Sequence, residues 1–160
     1  MNGIQDEPGQ DWPEVTIYTD GACQNNPGPG GWAAVLSFKH HSKELSGCEP
    51  LTTNNRMEMI AAVSALEALK RPCRVTLYSD SKYLIQGITT WVWNWQKKGW
   101  KTSGTKGGTQ KDVLNRDLWE KLVKLVKEHQ VTWEWVRGHA GHTENEQCDR
   151  LAKTAIGNCK

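Results

Sequence analysis

Three short runs of strand-forming residues, 15–19, 32–38 and 44–48, follow one another before any helical period begins, and from there helix-like and strand-like segments alternate. That order restricts the possible folds more than any other feature. The first two runs are separated by Asn25-Asn26-Pro27-Gly28-Pro29-Gly30-Gly31 and the next two by the polar stretch 40–43, so the three strands read as an antiparallel meander. Asn54 or Asn55 can then cap a helix reaching about Lys70, with Met59, Ala62, Leu66 and Leu69 on one arc and Pro72 as a stop. A strand at 75–79, helical stretches around 82–95 and 114–128, a strand at 131–136 and a helix from about Glu144 to Ile156 complete the chain. Thr143 and Glu146 stand at capping-box spacing before the last helix. The order βββαβαβα implies an α/β fold: a mixed sheet with the meander at one edge and further strands reached by right-handed helical crossovers, parallel to their partners.

With 160 residues and 18.0 kDa the chain fits one domain, expected over 14–160 behind a flexible, polar and acidic extension over 1–13. The five cysteines are odd in number and scattered, with no C-x-x-C pair, which reads as a reducing, cytoplasmic setting in which disulfides are not needed. No apolar run approaches the roughly 18 residues of a membrane span. A net charge of +2 is too mild to announce a polyanionic partner, so any such argument rests on how the charges are distributed.

Two strands close on an aspartate, in Tyr18-Thr19-Asp20-Gly21 and in Tyr78-Ser79-Asp80-Ser81. Ligands of open α/β sheets bind beyond the carboxyl ends of strands, and if these two strands are parallel neighbours their aspartates stand about 5 Å apart. Glu58 lies in the first turn of its helix at the edge of the arc carrying Ala62 and Leu69, where small residues let the helix approach the sheet, and Asp149 repeats the pattern beside Ile156. Four converging acids require cations, and oxygen-only ligands favour Mg²⁺ or Mn²⁺ in a two-ion site suited to phosphodiester hydrolysis. The same residues read equally well as turn aspartates and helix-start acids.

These pieces resemble a known family, the type 1 ribonucleases H of the bacterial kind, over about residues 15–155. The resemblance rests on Thr19-Asp20-Gly21-Ala22-Cys23 with Asn26-Pro27-Gly28-Pro29-Gly30-Gly31, on Thr52-Thr53-Asn54-Asn55-Arg56-Met57-Glu58, on Asp80-Ser81, and on Gly138-His139-Ala140-Gly141-His142 leading to Asp149. It implies a ribonuclease H-like fold, a five-stranded mixed sheet with helices on both faces. It further implies an endoribonuclease acting on the RNA strand of an RNA/DNA hybrid as a monomer, with two Mg²⁺ held by Asp20, Glu58, Asp80 and Asp149, Mn²⁺ as a possible substitute, and 5′-phosphate and 3′-hydroxyl products. His139 matches the family's catalytic-loop histidine, suited to proton transfer or product release. As plain sequence, His139 also reads as a loop histidine without chemistry.

The stretch from Trp91 to Lys101 interleaves tryptophan with lysine and holds no acid. Lys97, Lys98 and Lys101 can neutralise phosphates, whereas Trp91 and Trp95, four residues apart, also read as core. By resemblance this is the family's basic protrusion, and Asn26, Asn54 and the Cys23 backbone meet ribose hydroxyls while Thr53 and Asn55 lie near the DNA strand. Thr53 and Asn55 serve equally as helix caps. Lys82 stands where bacterial relatives commonly carry glutamine beside the ribose, and the glycine-rich 102–112 segment is longer than the family pattern leads one to expect. Two rival readings share the architecture: a hybrid-binding module that no longer cleaves, and a DNA-cutting or transposase-type nuclease.

Overall fold

The structure, a computed structural model, describes residues 11–102, 111–138 and 143–159. Five strands, β1 (Glu14–Cys23), β2 (Gly28–Phe38), β3 (His41–Thr52), β4 (Arg74–Ser79) and β5 (Gln130–Trp135), form one sheet in the order β3-β2-β1-β4-β5. The meander β1-β2-β3 is antiparallel, and β4 runs parallel to both β1 and β5. The helices are α1 (Asn54–Glu67), α2 (Lys82–Gln86), α3 (Val92–Lys97), α4 (Arg116–Glu128) and α5 (Thr143–Gly157).

Alternation along β2 divides the core, because successive side chains of a strand point to opposite faces. Ala34 and Leu36 face α1 and α4, packing with Ile17, Ala62, Leu66, Leu77, Trp119 and Leu122. Ala33 and Val35 face α5, against Cys148 and Ala152. Helices therefore cover both faces, as the resemblance implies.

Local differences from the expectation have physical causes. Of the three cap candidates Thr53 is the one that caps α1: its backbone is extended and its hydroxyl accepts from the Arg56 amide at 3.2 Å, while Asn54 and Asn55 already lie within the helix. The helix ends at Glu67, short of Lys70, as the Ala68 amide folds back on the Ser64 and Ala65 carbonyls. The stretch read as one helix over 82–95 carries a π turn at Gly87–Trp91 between α2 and α3. There the Thr89 hydroxyl donates to the Ile85 carbonyl at 2.6 Å, the type of back-bonding that bends helices.

The sequence indicates no need for disulfides and leaves cysteine pairing open; the structure contains one. Cys48 of β3 and Cys159, just beyond α5, are bonded across 111 residues with their Cα atoms 5.9 Å apart. Spacing along the chain carried no sign of this, since α5 packs across β2 and β3 and so brings its end to the sheet edge. Cys23, Cys73 and Cys148 are free thiols. Of the extension expected over 1–13, residues 1–10 lie outside the described residues, and the Pro13 carbonyl accepts from the Arg74 amide at 2.8 Å. No helix among the described residues is long and apolar enough to cross a membrane.

Candidate active site

The parallel register pairs Tyr18 of β1 with Tyr78 of β4, their rings stacked 4.7 Å apart, so Asp20 and Asp80 leave the sheet at the same level two residues on. Glu58 reaches them because α1 starts against the end of β1: a Cβ at Gly21 would lie 2.5 Å from the Glu58 amide nitrogen. Only a glycine permits that approach. One carboxylate oxygen from each of Asp20, Glu58 and Asp80 falls within 4.8 Å of the other two. Asp149, on α5, lies near enough for its charge to act on Asp20 but stands outside that set, with Lys153 Nζ 3.1 Å from its Oδ2.

Asp20 and Glu58 are almost wholly buried, and the electrostatics follow. Burial, then the Asp80 and Asp149 carboxylates, push the Asp20 pKa up to about 8, against the Gly21 amide that donates to its Oδ1 at 2.9 Å. Burial, followed by Asp20 and Asp80, raises Glu58 well above the carboxylate range. Glu58 Oε1 and Asp80 Oδ1 are buried with no hydrogen-bond partner among the described residues. Three acids, two of them with an unpartnered buried oxygen, and no cationic side chain within their set fit a hard divalent cation.

Of the other predicted residues, Asn26 and Asn54 come together, the Asn26 Oδ1 accepting from the Asn54 amide at 2.8 Å, and Asn55 follows in the first turn of α1. Cys23 closes the loop beneath them by donating its thiol to the Thr52 carbonyl at 3.3 Å. Trp91 joins a half-buried aromatic row, 5.8 Å from Tyr83 and from Trp95, which itself stands 5.9 Å from Trp119. Lys97 and Lys98 are exposed at the end of α3, whereas Lys101 pairs with Asp112 at 2.6 Å, so the basic run is partly neutralised at its base. His139 and residues 103–110 of the glycine-rich segment lie outside the described residues.

The RNase H family pattern matches residues 13–157. The chain belongs to the RNase H family. It is similar to Ribonuclease H of Novosphingobium aromaticivorans, 58% identical over 141 residues that cover 88% of this chain and 95% of that one. Ribonuclease H of Rhodopseudomonas palustris is 54% identical over 156 residues, 98% of this chain and 94% of the relative. Among solved structures, LC9-RNase H1, described as a type 1 RNase H with the type 2 active-site motif, superposes with a TM-score of 0.82 at 34% identity, covering 98% of this chain and 76% of that one. Membership makes the chain a nuclease of the hydrolase class.

Around the RNase H carboxylates the structure also places residues that the sequence reading passed over. Arg56 binds Asp117 through two hydrogen bonds of 2.8 and 3.1 Å and Asn115 at 3.1 Å, tying the start of α1 to α4. Trp135 and Gly138, at the end of β5 and beyond it, touch Asp80. The alternation that marks β5 as a strand contains Trp135 but carries no sign of what it faces.

Proposed function

We propose that this chain is an endoribonuclease that hydrolyses the RNA strand of RNA/DNA hybrids, leaving 5′-phosphate and 3′-hydroxyl ends. The observation that carries this reading is the pair of buried, unpartnered oxygens, Glu58 Oε1 and Asp80 Oδ1, within the three-acid set that includes Asp20. Unpartnered buried oxygens are costly, a divalent cation offsets that cost, and hard donors favour Mg²⁺ or Mn²⁺. Bound there, two such ions would supply the Lewis acidity that activates an attacking water and steadies the leaving 3′ oxygen. Asp20, Glu58, Asp80 and Asp149 would hold them. Without a cation, Asp20 retains its proton to about pH 8, so binding requires proton release and tightens as pH rises. His139 is the proposed residue for proton movement or product release.

On the substrate side, the Asn26 to Asn54 bond supports a ribose-reading surface shared with the Cys23 backbone, four residues ahead of Glu58 along α1. Thr53 accepts from the Arg56 amide yet keeps its own hydroxyl proton for a DNA phosphate, beside Asn55. Lys82, Lys97, Lys98 and Lys101 would take further phosphates, with Trp91 of the aromatic row offering its ring to the substrate. A monomer acting in the cytoplasm belongs to the same reading. In a reducing compartment Cys48 and Cys159 are expected as thiols.

The test is cleavage of end-labelled RNA/DNA, RNA/RNA, DNA/DNA and single-stranded RNA, each with Mg²⁺ and with chelator. Cutting confined to the RNA of the hybrid, and dependent on Mg²⁺, is the expected result. Hybrid binding without cutting would replace the proposal with the inactive binding module, and cutting of DNA/DNA with the DNA-nuclease reading.

A further inference from the structure

Asp80 sits at a chain reversal whose shape is set from β5. The Val136 amide donates to the Ser79 carbonyl at 2.9 Å, and the Trp135 indole Nε1 donates to the Asp80 carbonyl at 3.1 Å. Successive carbonyls are thus held by successive residues of the neighbouring strand end. The Ser81 amide donates to Ser79 Oγ at 3.0 Å, and Ser81 Oγ accepts from the Leu84 amide at 3.1 Å, capping α2. A Cβ at Gly138 would lie 2.8 Å from Asp80 Oδ2, so the chain leaving β5 also walls in the carboxylate. The other side of the same indole carries a charge: Lys82 Nζ lies 4.9 Å from the Trp135 ring centroid. Trp135 is 42% exposed, so burial of its ring does not account for its presence at the rim of the acid cluster.

We propose that Trp135 is a positioning residue with two separable parts. Its N–H fixes the Asp80 peptide, and through it the carboxylate that must meet Asp20 and Glu58 around a cation. Its ring face holds the Lys82 ammonium beside the cluster, ready for a phosphate of the RNA strand. The attraction of a cation to the ring face restricts the lysine before substrate arrives, so less side-chain freedom is lost on binding. A hydrogen bond to the main chain of a metal-holding acid acts as an outer-shell contact does, on metal affinity and turnover rather than on substrate affinity. The inference rests on the proposed hybrid cleavage, but its first part concerns cation affinity alone.

Three variants of the full chain separate these parts. Trp135→Phe keeps a ring and loses the donor, Trp135→Leu loses both, and Lys82→Gln loses the ammonium. Hydrolysis of the hybrid is followed against substrate and salt concentration, and Mg²⁺ binding is measured separately by calorimetry on the free protein. Trp135→Phe is expected to lower kcat and weaken Mg²⁺ binding by about tenfold each, the lower end for outer-shell changes, with KM within about twofold. Lys82→Gln is expected to act on KM, raising it about threefold and reducing the salt slope by about one. Combined with Trp135→Leu it should add little, because the lysine is no longer held. Unchanged Mg²⁺ affinity in Trp135→Phe would overturn the first part, and a full independent effect of Lys82→Gln on top of Trp135→Leu would overturn the second. Should the wild-type chain fail to cut any hybrid, the functional proposal falls, while the calorimetry still decides whether Trp135 positions Asp80.

Discussion

The two ends of the parallel pair β1 and β4 are built on opposite terms. Where the strands begin, polar groups close on one another: the Arg74 amide donates to the Pro13 carbonyl at 2.8 Å, the Cys73 amide to Nδ1 of buried His129 at 3.1 Å, and the Gln130 amide to the Cys73 carbonyl at 3.0 Å. Where they end, three carboxylates crowd together, two of them with a buried oxygen that nothing among the described residues satisfies. One sheet thus carries a satisfied end, whose hydrogen bonds stabilise the fold, and a frustrated end, which costs stability until a ligand arrives. The difference supports the proposal that the frustrated end is the one kept for chemistry.

The largest expected effect breaks the frustrated end. Asp20→Asn should reduce hybrid cleavage by more than about a hundredfold, beyond what outer-shell changes produce, because a neutral amide cannot replace the charge that holds a divalent cation. In metal-free buffer near neutral pH the same variant should melt a few degrees above the wild type, because folding no longer requires a proton to be taken up at residue 20. Cleavage assays and thermal melting check the two halves. A variant that is inactive and also less stable would mean that Asp20 supports the fold as well.

How much of this contrast was legible in the sequence follows from how each end is made. Asp20 and Asp80 closed strand-like runs, so once the strands were read as parallel neighbours the acids met at a known spacing, and the β1-β4 register bears out that geometry. Glu58 was reachable through helical periodicity. The satisfied end was not legible, because the bond from the Cys73 amide to His129 joins residues 56 apart and depends on the side chain of a strand-flanking histidine, a position that no periodicity marks. The Cys48 to Cys159 bond and the contact of Trp135 with Asp80 escaped for the same reason: both are long-range contacts made by side chains whose direction only the packed helices and strand ends decide.

The two ends should also answer pH with opposite signs. Asp20 has a folded pKa raised to about 8 from an ordinary value of 3.8, so its protonated form favours the folded state. That contribution is complete below the unfolded value and is lost as pH rises through the folded one. Metal-free protein should therefore lose stability between about pH 4 and 8, by at most about 1.4 kcal/mol per pH unit from this group. Mg²⁺ should restore more at pH 8 than at pH 5. Melting curves of wild type and Asp20→Asn, with and without Mg²⁺, test this, and an equal pH slope in both proteins would remove Asp20 as the source.

At the satisfied end, burial lowers the His129 pKa below 6.5, so its contribution is present above the unfolded value and lost as pH falls through the folded one. His129→Ala leaves the buried Cys73 amide without its acceptor, at a cost of about 1 to 3 kcal/mol. The melting temperature should drop by roughly 2–10 °C and lose part of its acid sensitivity, while kcat at a temperature where the variant is folded stays within about twofold. A large loss of kcat would show that the ends are coupled and that the contrast is too simple.

The smallest effect is expected at the frustrated end's outer margin, where Lys153 already supplies a cation to Asp149 at 3.1 Å. The lysine side chain is 63% exposed and four residues along α5, so the pair contributes only about 0.3 to 0.5 kcal/mol, and Lys153→Gln should move the melting temperature by less than about 2 °C. Its effect on cation binding should nevertheless have a definite sign. Any ion drawn to Asp149 competes with the ammonium, so removing it should tighten Mg²⁺ binding, by no more than about twofold for an interaction of that size. Calorimetric titration of wild type and variant distinguishes this from a merely structural pair: weaker Mg²⁺ binding in Lys153→Gln would mean that the lysine orients Asp149 for the ion instead of standing in for it, and the margin of the cluster would then belong with the satisfied end.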